Sequence, residues 1–230
     1  MLHTEKHFQQ SGTVRDIIIG LSDGLTVPFA LAAGLSGAGF DNNSIIITAG
    51  IAEIIAGSIA MGLGGYLAGQ TEVEHYDSEL KREYSEIKEH YEIERQEVKD
   101  VFAQYGLSPQ SQELIINELS TDENKWVDFM MRFELGLEKP DIYRARKSAF
   151  NIGIAYIVGG IIPLMGYFFT TSPLTGLFYS SLITVFTLLI FGYFKSKITS
   201  QSPLKGALKT LAIGISAAAA AYAIIRLFNR

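Results

Sequence analysis

Apolar residues fall into five long stretches of this 230-residue chain, and a long polar segment separates the second stretch from the third. Each stretch approaches the ~20 residues that a helix needs to cross the hydrocarbon core of a bilayer. We therefore predict an all-α polytopic membrane protein with five transmembrane helices, at residues 17–40, 44–69, 149–170, 174–194 and 204–228.

The pattern predicts three parts: a tail with transmembrane helices 1 and 2 (1–69), a helical insert (70–147) and transmembrane helices 3 to 5 (148–230). The insert holds 19 of the 24 acidic and 11 of the 19 basic residues, which gives it a local net charge of −8. A soluble protein does not leave the rest of its chain so poor in charge. We therefore expect water around the insert and lipid around the remainder.

Composition also excludes several classes of function. The net charge of −5 and the acidic insert disfavour nucleic acid as a partner, because phosphate binding needs clustered lysine and arginine. The chain has no cysteine, which excludes disulfides, thiolate metal sites and cysteine nucleophiles.

Basic residues near the ends of the apolar stretches predict the orientation in the membrane. The first and third loops contain neither lysine nor arginine. The end of the insert and the fourth loop are basic, at Arg144, Arg146, Lys147, Lys195, Lys197 and Lys205. By the positive-inside rule the insert and the fourth loop face the cytosol.

The insert is helical by pattern. Residues 72–103 lack proline and glycine and are rich in Glu, Lys and Arg, so they predict a long helix that can continue from the second transmembrane helix. Gly106 suits the residue after a helix, Ser108 an N-cap and Pro109 the first helical position. Residues 120–123 predict a capping-box start for a further helix.

Acidic residues inside two of the apolar stretches are candidate ion ligands. Asp16 and Asp23 are seven residues apart and share a helix face within about 20°. Glu53 and Met61 lie on one side of the second stretch. An acid at the bilayer centre costs ~2.5–3.5 kcal/mol on insertion scales, which favours a functional role in a cation or proton pathway. The alternative is that Asp23 and Glu53 are protonated and hydrogen-bonded between helices, and that Met61 faces lipid or lies in the core.

The insert contains two ExxE pairs, Glu83 with Glu86 and Glu94 with Glu97. On a continuous helix these four residues lie within about 80° of one another. If the helix breaks near residues 90–93, the two pairs face each other across a turn. Either arrangement can bind a divalent ion, and a solvated face of a charged helix is the alternative.

Met130, Met131 and Glu134 place thioether sulfur beside a carboxylate at helical spacing. This combination suits a borderline or soft transition ion and is a poor match for Mg²⁺ or Ca²⁺. The alternative interpretation is that Met130 belongs to the apolar face of an amphipathic helix, together with Trp126, Phe129 and Phe133.

Four blocks of sequence give the chain a dense resemblance to the vacuolar iron transporter family. They are RDIIIGLSDGLTVPFA at 15–30, GIAE at 50–53, MGLGGYL at 61–67 and DFMMRFELGL at 128–137. The blocks are similar to those of that family, occur in the right order and cover nearly the whole chain.

The resemblance implies a homodimer with five transmembrane helices per subunit, an ion path at the subunit interface and a cytosolic helical metal-binding domain. It implies export of Fe²⁺, and often of related ions such as Mn²⁺, from the cytosol in exchange for protons. Zn²⁺ and Co²⁺ are further candidate ligands. Iron is then the transported substrate, and we expect no permanent cofactor and no enzymatic activity.

The resemblance also assigns roles to individual residues. Asp23, Glu53 and Met61 would line the ion path, with Asp16 near its cytosolic mouth. Metal binding on the insert would involve Glu83, Glu86, Glu94, Glu97, Met130, Met131 and Glu134. Relatives can carry a proline near the turn between the two ExxE pairs, whereas residues 89–92 contain none.

Two other classes of function compete with transport. One is a membrane-anchored iron-binding or iron-oxidising protein. A ferritin-like di-iron centre needs two ExxH pairs, and the sequence contains a single one, Glu72 with His75, which argues against this class. The other is a structural membrane protein whose insert binds a protein partner. The expected location is a bacterial inner membrane or a vacuolar-type membrane.

Overall fold

The computed structural model describes residues 12–199 and 201–228, and the predicted N-terminal tail at residues 1–11 lies outside them. All regular structure in this part of the chain is helical. The helices are α1 (Gly12–Ser36), α2 (Ser44–Glu89), α3 (Tyr91–Gln104), α4 (Pro109–Leu119), α5 (Glu123–Phe129), a π-helical turn (Met130–Glu134), α6 (Arg144–Phe168), α7 (Pro173–Ile198) and α8 (Pro203–Phe228).

Five of the described helices, α1, α2, α6, α7 and α8, are long and apolar enough to cross a membrane, as the sequence predicted. Helix α2 continues 20 residues beyond the predicted second stretch, to Glu89, and α1 is displaced toward the N-terminus, since it begins at Gly12 and ends at Ser36. The chain then turns through Gly39, whose φ of 83° is readily adopted only by glycine. This turn places the end of α1 four residues earlier than the hydropathy pattern predicted.

The described residues divide into two compact units. The first, called the helical bundle below, contains the residues up to Leu67 and those from Ala145 onward. The second, called the insert unit, is Ala68–Arg144. The assignment of these units as transmembrane and cytosolic metal-binding domains stays a prediction.

Helix α6 packs between α1 and α2 in the bundle, and glycines allow the close approach. Gly20 of α1 lies against Ile152 and Ala155 of α6. On the other side, Gly62 of α2 lies against Ala149 of α6. Small residues are needed at such contacts because helices in lipid associate through close backbone packing rather than through the hydrophobic effect.

A buried polar network joins the α1–α2 loop to the end of α6. Asn43 donates from Nδ2 to the carbonyl oxygen of Tyr167 at 3.0 Å and to that of Thr170 at 2.7 Å. The hydroxyls of Ser36 and Tyr167 lie 2.8 Å apart. These bonds hold together the bundle end that carries the α1–α2 loop.

The insert unit has a core of its own. Helix α3 packs against α4 and the π-helical turn, around a cluster of buried side chains that comprises Tyr76, Ile87, Val98, Ile116, Trp126, Val127, Met130 and Met131. An independent apolar core allows this highly charged segment to hold a defined shape.

The predicted stop and restart in the insert unit is confirmed, with one correction. Gly106 has a φ of 78°, and the Ser108 hydroxyl accepts a hydrogen bond from the amide of Ser111 at the start of α4. The capping residue of α5 is Asp122, whose carboxylate accepts from the amides of Asn124 and Lys125. The helix therefore begins two residues after the predicted capping-box start at residues 120–123, because Asp122 caps it directly.

We expect Gly20→Ala to destabilise the bundle by about 1–3 kcal/mol, the usual cost of overpacking. The new Cβ would lie 2.8 Å from the Cβ of Ala155 and 3.1 Å from the carbonyl carbon of Ile152. Gly64→Ala is the matched control, since a Cβ there meets no atom within 4 Å and the gain in helix propensity is equal. Thermal unfolding of the purified chain in detergent measures both, and equal midpoints would contradict the packing.

Candidate metal sites

The helix breaks between the two ExxE pairs of the insert unit. His90 has φ −127° and ψ 34°, and separates α2 from α3. The His90 amide still donates to the Glu86 carbonyl, while the His90 carbonyl accepts from the amides of Ile93 and Glu94. One non-helical residue therefore ends one helix and starts the next without proline, and the alternative of a continuous helix is wrong.

Glu83 and Glu94, one from each pair, are buried in the insert unit. Their side chains are 2% and 3% exposed, and Oε2 of each has no hydrogen-bond partner among the described residues. A buried carboxylate oxygen is normally hydrogen-bonded, so each of these two oxygens has the capacity to hold a proton or a cation. The burial of Glu83 and Glu94 contradicts the alternative of a fully solvated charged face.

The acidic side chains of this unit act on one another electrostatically. Burial, reinforced by Glu97 and Glu83, raises the pKa of Glu94 to about 8. Burial, reinforced by Glu134 and Glu86, raises the pKa of Glu83 to about 7. Desolvation, reinforced by the charge of Glu97, raises the pKa of Glu134 as well. The structure thus brings all five predicted carboxylates of the insert within reach of one another's charge.

These carboxylates do not form a closed cage. No three acidic or histidine side chains in the described part of the chain stand close enough to complete a metal site. Like charges repel, and Glu86 is drawn to Arg82, whose Nε lies 3.2 Å from Glu86 Oε2. Binding of an ion here would require side-chain movements that bring the oxygens together.

Met130 and Met131 lie in the apolar core, 0% and 1% exposed. Both belong to the π-helical turn, in which the Leu135 amide donates to the Met130 carbonyl at 3.0 Å. Their burial agrees with the alternative that methionine packs here, while Glu134 at the end of the same turn is exposed. A role of the two sulfurs as metal ligands stays a prediction.

In the bundle, Glu53 of α2 meets a tyrosine of α6. The Tyr156 hydroxyl donates a hydrogen bond to Glu53 Oε1, while Glu53 Oε2 is buried and has no partner among the described residues. The ring of Tyr156 lies directly over Gly57, one turn from Glu53, where a larger residue would displace it. The site is thus built from a carboxylate, a phenol and a glycine that leaves room for the phenol.

Asp23 of α1 interacts electrostatically with the same hydroxyl of Tyr156. Its neighbour Gly24 packs against the backbone of Tyr156. The sequence pattern identified Asp23 and Glu53 as candidate site residues but did not identify Tyr156. The only available signal was a hydroxyl-bearing side chain in the middle of the third apolar stretch.

Asp16 and Met61 are both displaced from Asp23 and Glu53 toward the same end of the bundle. Asp16 precedes Asp23 by two helical turns, and Met61 follows Glu53 by slightly more than two. Because α1 and α2 are joined by a short loop and run in opposite directions, both displacements point the same way. Asp16 is 1% exposed and Met61 is partly exposed.

Thr26 lies on α1, three residues after Asp23. Its hydroxyl donates to the carbonyl of Ser22 at 2.7 Å, within the same helix.

Comparison with known proteins identifies the family of this chain. The model of the VIT family matches residues 14–226. The chain belongs to the VIT family. It is 54% identical over 224 residues to vacuolar iron transporter 1 of Arabidopsis thaliana, covering 97% of this chain and 89% of that protein.

More distant members of the VIT family also align along most of the chain. Vacuolar iron transporter 1 of Tulipa gesneriana is 50% identical, over 97% of this chain and 90% of its own length. Protein CCC1 of Saccharomyces cerevisiae is 39% identical, over 94% of this chain and 69% of its own length. The resemblance stated from the sequence blocks is thereby confirmed.

The metal-free protein should lose stability as the pH rises from about 4.5 to about 8. Folded Glu83 and Glu94 keep their protons to a pKa of about 7 and about 8, against 4.5 for ordinary glutamate. The folded state binds more protons in this window, so the free energy of unfolding falls with rising pH. Glu94→Gln should flatten the fall.

Fluorescence of Trp126, the single tryptophan, reports unfolding of the insert unit in chelator at each pH. Glu118→Gln on the exposed face of α4 is the control and should keep the full slope. A slope equal in the Glu94→Gln and Glu118→Gln variants would refute the assignment.

Proposed function

We propose that this protein carries Fe²⁺ out of the cytosol across a membrane in exchange for protons. The observation that carries the proposal is the buried, unpartnered Oε2 of Glu53 in the middle of an apolar helix. An acid in such a place is costly unless it serves an ion, and Asp23 supplies a second carboxylate beside the same tyrosine.

The identity of the ion rests on two kinds of support. The relatives named above are called vacuolar iron transporters, and they align over nearly their whole length. Carboxylate oxygens joined by the sulfur of Met61 would favour a transition ion such as Fe²⁺ or Mn²⁺ over Mg²⁺. Zn²⁺ and Co²⁺ fit the same donor set.

The insert unit would collect the ion on the cytosolic side. Its negative charge raises the local concentration of divalent cations, and the orphaned oxygens of Glu83 and Glu94 offer them ligands. Glu86, Glu97, Glu134 and the two methionines Met130 and Met131 complete the proposed donor set. The ion would then pass Asp16 and Met61 and reach Asp23 and Glu53.

Protons and metal compete for the same carboxylate oxygens. On an acidic far side, protons bind Asp23 and Glu53 and release the ion, and the protonated form returns to the cytosol. The hydroxyl of Tyr156 holds Glu53 Oε1, which leaves Oε2 for the ion or the proton. This competition is the chemical basis of the proposed antiport.

A homodimer would complete the path. Asp23, Glu53 and Met61 are partly exposed on the single chain. Carboxylates facing lipid are unfavourable, so a second copy covering this face would lower the cost and supply a second set of ligands. The membrane would be of the bacterial inner or vacuolar type, with the insert unit in the cytosol.

Glu53→Gln and Asp23→Asn should each lower Fe²⁺ flux in proteoliposomes at least tenfold, because each removes a charge the ion requires. Asp41→Asn, in the exposed loop after α1, is the matched control and should leave flux unchanged. The measurement is uptake of Fe²⁺ with a pH reporter inside the vesicles, where proton exit should accompany entry of the ion. Unchanged flux in Glu53→Gln or Asp23→Asn would defeat the proposed path, and iron entry without proton exit would defeat antiport.

The double variant Glu83→Gln with Glu94→Gln should lose high-affinity binding of Mn²⁺, a redox-stable substitute for Fe²⁺, by the insert unit. The two buried orphaned oxygens become amides, which bind divalent cations more weakly. The matched control, Glu118→Gln with Glu138→Gln, changes two exposed glutamates. Calorimetry and Trp126 fluorescence of the full-length chain measure binding.

Retention of tight Mn²⁺ binding in the Glu83 and Glu94 double variant would reject the collecting role. Dioxygen consumption on addition of Fe²⁺, without flux, would instead support the competing hypothesis of a membrane-anchored iron oxidase.

A further inference from the structure

Four lysines at the α7–α8 turn have no part in the proposed transport. Two lie near the end of α7, Lys195 and Lys197, and two in the first two turns of α8, Lys205 and Lys209. They are called the turn lysines below. The turn itself is short, since α7 ends at Ile198 and α8 begins at Pro203.

Packing between the helices places the turn lysines at one end of the pair. Ser196 of α7 lies directly against Gly206 of α8. The two lysines of α7 flank Ser196, and Lys205 adjoins Gly206. Lys209 follows Lys205 by four residues and therefore shares its face one turn further along. The register of the two helices thus places all four lysines near the same end of the pair, with Lys195 and Lys197 on either side of the contact.

None of the turn lysines forms an ion pair with a carboxylate among the described residues. Several basic residues of the insert unit are, in contrast, paired with carboxylates. Lys88 lies 3.0 Å from Glu123 and Lys99 lies 2.5 Å from Glu113. A cluster of four uncompensated cations attracts an anion from outside the protein.

Apolar side chains surround the same turn on its exposed surface. They are Tyr193, Phe194, Ile198, Leu204 and Leu208, with exposed fractions from 38% to 72%. Aromatic residues at the end of a transmembrane helix are typical of the level of the lipid headgroups. A ligand that satisfies both features has an anionic head and apolar tails.

We propose that the turn lysines bind the phosphate headgroup of an anionic phospholipid, whose acyl chains lie along the exposed apolar residues of α7 and α8. Basic groups beside transmembrane helices attract anionic lipids, and the strength grows with the number of charges. Lysine stems can lie along apolar surface while their ammonium groups reach the headgroup. The site is separate from the carboxylates of the ion path.

Native mass spectrometry of the full-length chain tests the site with phosphatidylglycerol and phosphatidylcholine of identical acyl chains. The unchanged protein should bind phosphatidylglycerol in preference. Each lysine changed to glutamine should lower that preference about fivefold. The test variant combines Lys195→Gln, Lys197→Gln, Lys205→Gln and Lys209→Gln.

The control variant removes the same charge from the insert unit, through Lys81→Gln, Lys88→Gln, Lys125→Gln and Lys139→Gln, and should keep the lipid preference. Should the fourfold variant fail to fold, two double variants test the same site: Lys195→Gln with Lys197→Gln on α7, and Lys205→Gln with Lys209→Gln on α8. Each should lose about fivefold for each lysine removed.

Retention of the preference for phosphatidylglycerol in the double variants, or equal binding of the two lipids by the unchanged chain, would overturn the proposal. Inorganic phosphate separates a lipid site from a simple anion site. We expect excess phosphate to leave the bound lipid in place, since it lacks acyl chains, and full displacement at matched concentration would overturn the proposal.

Discussion

A buried carboxylate oxygen without a hydrogen-bond partner destabilises a folded chain by about 1–3 kcal/mol, and by more when it is charged. The described residues contain three such oxygens, the Oε2 atoms of Glu53, Glu83 and Glu94. The cost is removed when a proton or a cation occupies the oxygen. The atoms that weaken the metal-free protein are therefore those with most to gain from an ion, and both candidate sites depend on this property.

In the bundle, close packing around α6 produces the unpartnered oxygen of Glu53. Glycines of α1 and α2 bring both helices against α6, where Tyr156 bonds to Glu53 and interacts electrostatically with Asp23. The phenol fixes one oxygen of Glu53 and leaves the other open. Gly57 has no side chain to occupy the place of the tyrosine ring. Packing of small residues thus produces the polar geometry of the site.

In the insert unit, an apolar core and a helix break produce the unpartnered oxygens of Glu83 and Glu94. The core around Trp126 fixes α3, α4 and the π-helical turn, and the break at His90 allows the two ExxE pairs to interact across it. Burial of Glu83 and Glu94 then raises the pKa of both to near neutral, so protons would compete there with the metal binding proposed above. Both units therefore contain acidic side chains with a buried, unpartnered oxygen.

Several features followed from the sequence with a clear physical reason. The five apolar stretches predicted five helices able to span a membrane, because length and hydropathy alone decide that property. Gly106, Ser108 and Pro109 predicted the end of one insert helix and the start of the next, because capping is decided by neighbouring residues. The end of α1 was misplaced, since the residues after Ser36 remain apolar while the chain already turns.

By itself, the sequence determined which segments are helical and apolar and which acids are unusual for their surroundings. Only the tertiary structure decided that Tyr156 bonds to Glu53, that His90 rather than a proline breaks the helix, and that Met130 and Met131 lie in a core. Local patterns follow from neighbours along the chain. The pairing of Glu53 with Tyr156 joins residues 103 positions apart and depends on how two helices pack, which hydropathy and spacing do not encode.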